Sequence, residues 1–456
     1  MPIPQAPAIR SPFKIARTFD RTIVLDNLAN SFSAYGDTFS LNALGQTFIF
    51  TRDPQWFREV LVTQAAHFGK DQQYTDRKRG LARFVGNGLL TSDGDFWKRQ
   101  RKLVAPALHA KRIEAYAETM VHFAQAQTQG WRDGARIDIA HEMMNATLMV
   151  VGRTLFNFDA SADSERVGRA MHDIQTFDNT GLLPTWIPTP MELRARRAIR
   201  DLDAMIYGLI AKRRGQPDQG DLLSMLLEAR DDDGRPMSDG QVRDEAVTLF
   251  LAGHETTANT LNWTWLALAQ NPDVEAKLHQ ELDRVLSGRL PSLADLRYLP
   301  YAEMVIKEAL RLYPPAWSYS RLALDDVQVN GEAVVRGTVV VMFTYFLHRR
   351  PDLFEEPLRF SPERFSPDNE ARIEKYHYLP FGSGPRVCIG NSFAMMEAQL
   401  MLATLASRWQ MRLPPGHAVR PYPAITMNPD GGLPMILKRR TPSAQAEAEP
   451  QAQATF

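Results

Sequence analysis

From about Pro54 to Gln270 the apolar residues recur at steps of three and four, the spacing of one face of an α-helix. "DPQWFREVLVTQAAHF" opens with Asp and Pro in helix-starting positions, and "AKRIEAYAETMVHFAQAQTQGW" carries a continuous apolar stripe. "LLTSDGDFWKRQRKLVAPAL" predicts a turn at Asp93-Gly94 and then a basic helix that stops at Pro106. The longest pattern, "DGQVRDEAVTLFLAGHETTANTLNWTWLALAQNPD", ends before Pro272. At roughly 1.5 Å per residue it predicts a helix of about 45 Å, long enough to cross a whole domain and form the backbone of its core. Between such helices, the proline-punctuated "LLPTWIPTP" of residues 182–190 reads as a loop and the acidic "EARDDDGRPMSDG" as an exposed connection.

A period of two appears in fewer places. "TFSLNALGQTFIF", residues 38–50, alternates around a glycine and predicts a hairpin, hence a small sheet near the start. "VQVNGEAVVRGTVVVMFTYFLH" predicts two or three strands with glycine turns, "YHYLPFG" is strand-like, and 303–312 and 392–409 are helical again. The last 16 residues, "TPSAQAEAEPQAQATF", are polar and low in complexity, and a disordered tail is expected over 441–456. No internal repeat or dividing linker is visible. The pattern predicts a mainly α fold with a minor β portion, in a single domain over residues 1–440.

Composition narrows the function. With 44% apolar residues among 456, the chain can bury a large core. Lys plus Arg equal Asp plus Glu at 53 each, which removes the electrostatic case for nucleic acid or an anionic membrane as the main partner. No apolar run reaches the length of a signal peptide or a spanning helix, and the single cysteine cannot form an intrachain disulfide. A soluble protein of the cytoplasm, with no membrane span, is expected.

That cysteine lies in "LPFGSGPRVCIG", residues 379–390. A lone cysteine is commonly a small core residue. Cys388, however, precedes a helix opening near Gly390, whose first N–H groups can point at the sulfur, and Arg386 adds a positive charge; both favour a thiolate, which serves as nucleophile or metal ligand. A nucleophile needs a base, and no local signature of a cysteine protease surrounds it, although His377 is near in sequence. A structural zinc site needs about four ligands, which one cysteine cannot supply. Heme iron takes a single axial thiolate.

Phe381, Gly384, Arg386, Cys388 and Gly390 match the pattern Phe-x-x-Gly-x-Arg-x-Cys-x-Gly, and from about residue 35 to 440 the chain resembles a cytochrome P450 monooxygenase. Three further motifs in order carry the same resemblance: "WKRQR", "AGHETT", and "EALR" followed by "FSPERF". The resemblance implies a long central helix over a heme b, with Cys388 as iron ligand and Phe381 and Gly390 shaping its loop. Trp97, Arg101, Arg321 and Arg386 would meet the heme propionates. Glu255 and Thr256, on the distal side, would deliver protons during oxygen activation. Glu308, Arg311 and Arg364 would form a buried network supporting the proximal loop. By similarity to bacterial fatty-acid hydroxylases, Val85, Leu90, Ala252 and Ala316 would lie near the substrate, each equally readable as ordinary core.

The implied reaction inserts one oxygen atom from O2 into a lipophilic substrate, a fatty acid or terpenoid-like molecule. Neither a fused flavin reductase nor an N-terminal anchor is expected. Electrons would therefore pass from NAD(P)H through a separate ferredoxin or flavodoxin with its reductase, for which Lys98, Arg99 and Lys102 offer a basic patch. Two alternatives stay open: a peroxygenase driven by H2O2, disfavoured because Glu255 and Thr256 are retained, and a heme-thiolate sensor without turnover.

Overall fold

Short polar acceptors start the helices. Asp53 accepts from Gln55 N at 2.9 Å ahead of Pro54–Arg58, and Asp93 caps the basic helix Gly94–Val104. Ser238 accepts from Gln241 N at 3.2 Å while the Gln241 side chain accepts from Ser238 N at 3.0 Å, a reciprocal cap that opens the central helix, Asp239–Gln270. The computed structural model describes residues 3–109, 113–157, 169–170, 173–174 and 189–441. The tail from 442 and most of the 182–190 loop lie outside the described residues.

The central helix has 32 residues, about 48 Å at 1.5 Å per residue. It is packed by Ile139–Phe156, Pro190–Arg213, Pro300–Leu312 and Asn391–Ala406. Between Glu245 and Leu268 it is buried on every side, save at Ala252, Gly253 and Thr256. Trp263 stacks on Tyr313 with ring centroids 4.4 Å apart and donates to Met427 O at 2.9 Å, which satisfies the indole N–H inside the core.

The hairpin Thr38–Ala43/Gln46–Thr51 forms as its alternation predicts, with Leu44 and Gly45 at positive φ in the turn. It is one edge of a five-stranded sheet, followed in order by Val339–Met342, Tyr319–Ala323 and Phe68–Gly69. Gln46–Thr51 pairs parallel with Val339–Met342, so residues almost 300 positions apart share one ladder. A three-stranded sheet likewise joins Arg136–Asp138 to Pro434–Arg439 and Trp409–Arg412. "YHYLPFG" forms no strand. Side chains hold it instead: Tyr319 Oη donates to Leu379 O and Pro380 O, both at 3.2 Å, and Leu379 N donates to His348 Nε2 at 2.8 Å.

Glu308 and Arg311, three residues apart on Pro300–Leu312, are both 0% exposed and paired through two bonds of 2.8 Å. Arg311 also donates to the carbonyls of His348 and Pro357, and Ser361 N donates to Glu308. Arg364 Nε stands 3.6 Å from Glu308, a looser third member.

Glu397, on Asn391–Ala406, is also fully buried but, unlike Glu308, forms no ion pair with a described cation. Burial pushes it up to about 8, weakly opposed by the Thr257 hydroxyl. The folded state therefore keeps a proton that the unfolded state releases above about pH 4.5, and stability falls by about 1.4 kcal/mol per pH unit between 4.5 and 8. Glu397→Gln is expected to match the wild type in urea unfolding near pH 4 and to exceed it by a few kcal/mol above pH 8; equal stability at both would contradict a buried neutral carboxyl.

Candidate active site

The cysteine loop is shaped by backbone. Gly382 (φ 71°) and Gly384 (φ 70°) take left-handed conformations, Gly384–Arg386 forms a single 3-10 turn, and Cys388 N donates back to Phe381 O at 2.9 Å. A Cβ on Gly384 would run into the Leu61 carbonyl oxygen of the neighbouring π-helical turn Glu59–Thr63. Gly384→Ala is thus expected to lower stability by at least roughly 2 kcal/mol, from left-handed strain plus a backbone clash, seen as a lower unfolding midpoint; an unchanged midpoint would mean that the loop can move away from Leu61. Gly390 is different. Its φ of −95° suits any residue and a Cβ there would meet nothing within 4 Å, so it is not needed to turn the chain.

Cys388 is closely surrounded by protein, yet its side chain is exposed, so the sulfur opens onto space within the fold. Burial pushes the thiol up, opposed by the Gly390 N–H and by Arg101. The N–H and cationic surroundings that favour a thiolate are present, but burial outweighs them; a bound metal ion would supply the missing charge. Among the described residues no three His, Cys, Asp or Glu side chains gather to hold a bare ion. Heme, whose porphyrin brings its own nitrogen ligands, fits a single sulfur.

The cations beside the loop fit the same group. Arg386 lies over the Trp97 ring at 4.2 Å, donates to Ser92 O at 3.0 Å and pairs with Asp93. Arg101 sits 5.8 Å from the same ring. Arg321 is buried, with a hydrogen bond to Ser320 O at 2.8 Å. Lys70, whose Nζ stands 3.8 Å from the Tyr74 ring, completes the group. Burial and then Arg321 and Arg386 hold its ammonium well below the usual range, despite Asp71 and Asp93. Four cations against two carboxylates, Asp71 and Asp93, leave positive charge that two propionates would neutralise. Lys70 and Tyr74 are not legible in "FGKDQQYT", where lysine reads as solvated surface.

On the central helix, Ala252, Gly253 and Thr256 form one open stripe, at positions i, i+1 and i+4. Thr256 Oγ1 donates to Ala252 O at 2.8 Å. Glu255 is buried on the adjoining stripe and accepts from the Thr426 hydroxyl, in the turn between strands Pro421–Pro423 and Met427–Pro429. Ala316 and Leu90 are half-buried, whereas Val85 is 0% exposed and packs in the core, so it offers no face to a ligand. The Val85–Leu90 segment is held on the central helix by Asn87 N to Asp244 at 2.7 Å and Leu89 N to Glu245 at 2.9 Å. Ile425, in the Thr426 turn, is exposed between buried Ala424 and Thr426, a placement no local sequence signal announces.

The basic patch is not free. Lys98 pairs with Asp95 at 2.8 Å, Arg99 with Asp231 at 2.7 Å and Lys102 with Asp232 at 2.5 Å. The acidic connection folds over the helix and neutralises it, which weakens electrostatic attraction for an acidic donor. No helix among the described residues is long and apolar enough to cross a membrane.

The family profile "Cytochrome P450" matches residues 3–433. The chain is 38% identical to cyclooctatin synthase of Streptomyces melanosporofaciens, over 90% of each chain. It is 35% identical to pentalenene oxygenase of Streptomyces avermitilis, over 91% of this chain and 92% of that one. A solved cytochrome P450DA heme domain superposes with a TM-score of 0.86 at 26% identity, covering 98% of this chain and 99% of the other.

Proposed function

Because the chain belongs to the cytochrome P450 family of heme-dependent monooxygenases, we propose that it inserts one oxygen atom from O2 into a cyclic terpenoid, with electrons from a separate donor protein. The observation that carries this reading is the open Ala252–Gly253–Thr256 stripe in a helix otherwise buried on all sides. It offers two small apolar contacts and one hydroxyl, suited to a bulky substrate with little polarity. Two relatives are named for pentalenene and cyclooctat-9-en-7-ol, cyclic terpenoid skeletons, which favours this class over fatty acids.

Cys388 would hold the iron, and Trp97, Arg101, Arg321 and Arg386, joined by Lys70, would hold the propionates. Heme, when bound, supplies the redox-active iron that receives electrons and activates O2. The chain supplies the protons: Glu255 carries them to the open stripe, and Thr256 orients them there with its hydroxyl.

A spectral titration of the holoprotein with pentalenene, a cyclic diterpene alcohol, dodecanoic acid and a steroid tests the substrate class. The cyclic terpenoids are expected to shift the iron spin state at concentrations about tenfold lower than dodecanoic acid, a difference of about 1.4 kcal/mol. Tighter binding of the fatty acid would sink the terpenoid assignment. Thr256→Ala is expected to keep oxidising NADPH while peroxide replaces product, lowering coupling by about tenfold or more; unchanged coupling would remove Thr256 from the proton path.

A further inference from the structure

Glu255 is not aimed at Thr256. One residue apart, the two side chains diverge by about 100° around the helix, and Glu255 joins the stripe of Asn259 and Asn262. Asn259 Nδ2 donates to Thr426 Oγ1 at 2.9 Å and also to Asn428 Oδ1, and Asn262 Nδ2 donates to Asn259 Oδ1 at 3.3 Å. Glu255, Asn259, Asn262 and Thr426 are all more than nine-tenths buried.

The direction of each bond follows from the groups. The Asn259 amide nitrogen can only donate, so the Thr426 oxygen accepts there; its single hydrogen goes to Glu255, the nearer acceptor, since Asn428 Oδ1 stands at 3.4 Å and already accepts from Asn259. Thr426 cannot drift, because its turn is pinned on both sides. Trp317 Nε1 donates to Ala424 O at 3.0 Å, Met427 N to Pro315 O at 3.0 Å, and Trp263 Nε1 to Met427 O at 2.9 Å.

We infer that Thr426 is a positioning residue for Glu255: its hydroxyl holds the carboxylate on the hairpin side of the central helix and sets the orientation from which protons are passed toward Thr256. The inference rests on the reading of Glu255 as the proton-delivering acid. It assigns the hairpin turn 424–426, which has no place in that reading, to the proton path.

The test uses the heme-loaded full chain. The infrared carboxyl signal of Glu255, identified by its loss in Glu255→Gln, is expected to shift in Thr426→Val and to return in Thr426→Ser, which restores a hydroxyl. With spinach ferredoxin, its reductase and NADPH, without added substrate, O2 is reduced either to peroxide (one NADPH per O2) or, with further protons, to water (two NADPH per O2). Thr426→Val is expected to raise the peroxide share severalfold, Thr426→Ser to restore it, and the Glu255→Gln/Thr426→Val double variant to be no worse than Glu255→Gln alone. An unmoved infrared signal, an unchanged peroxide share in Thr426→Val, or additive losses would overturn the inference while leaving Glu255 in its role. An unchanged peroxide share in Glu255→Gln would overturn both. If Thr426→Val does not fold, Thr426→Ala is read against the same signals.

Discussion

Cys388→Ala is expected to fold and to lose the red-shifted absorption band of the reduced, CO-treated holoprotein, together with all oxygenation of substrate. The loop does not depend on the sulfur: its closing bond, Cys388 N to Phe381 O, is between backbone groups, and its bends are set by Gly382 and Gly384. The side chain opens onto space rather than filling a packed gap, so its removal creates little new cavity and costs at most about 1 kcal/mol. What is lost is the ligand. The chain has no other cysteine, and no cluster of three candidate ligands exists among the described residues to replace it. A variant with the same band would refute Cys388 as the iron's axial ligand.

Glu308→Ala is expected to cost about 3–5 kcal/mol, the range for removing one partner of a buried ion pair, because it leaves the Arg311 charge with carbonyl oxygens alone. Ser361 N would also lose its acceptor, loosening the segment that leads to Arg364. The effect should appear as a large fall in urea midpoint and in the yield of heme-loaded protein. Arg364→Ala should cost far less, since Arg364 stands 3.6 Å away and is partly solvated. Equal effects of the two substitutions would contradict the geometry of the network.

Much of this was legible in the sequence because it is local. The central helix is written in its period and bounded by Ser238 and Pro272; the hairpin at 38–51 is written in its alternation. The cysteine loop is a run of fixed spacings. Non-local pairings left no such trace: nothing around Phe48 points to Val339, and the strand ladder that joins them decides how the sheet is built. Lys70, Tyr74 and Thr426 were silent for the same reason, since each acquires its place only when distant segments meet. Local pattern also misleads about which way a side chain faces. The cations 98, 99 and 102, apparently free, met Asp95 and an acidic connection 130 residues away, while Val85, placed near the substrate by resemblance with ordinary core as the equal alternative, lies in the core.

Under the proposed function, this chain uses O2, through heme held at Cys388, to oxidise a cyclic terpenoid. Turnover of pentalenene under 18O2, with NADPH, spinach ferredoxin and its reductase, followed by mass spectrometry of the product, is the decisive experiment. One 18O atom per oxygenated product is expected. No oxygenated product, or oxygen that carries no label, would contradict that function.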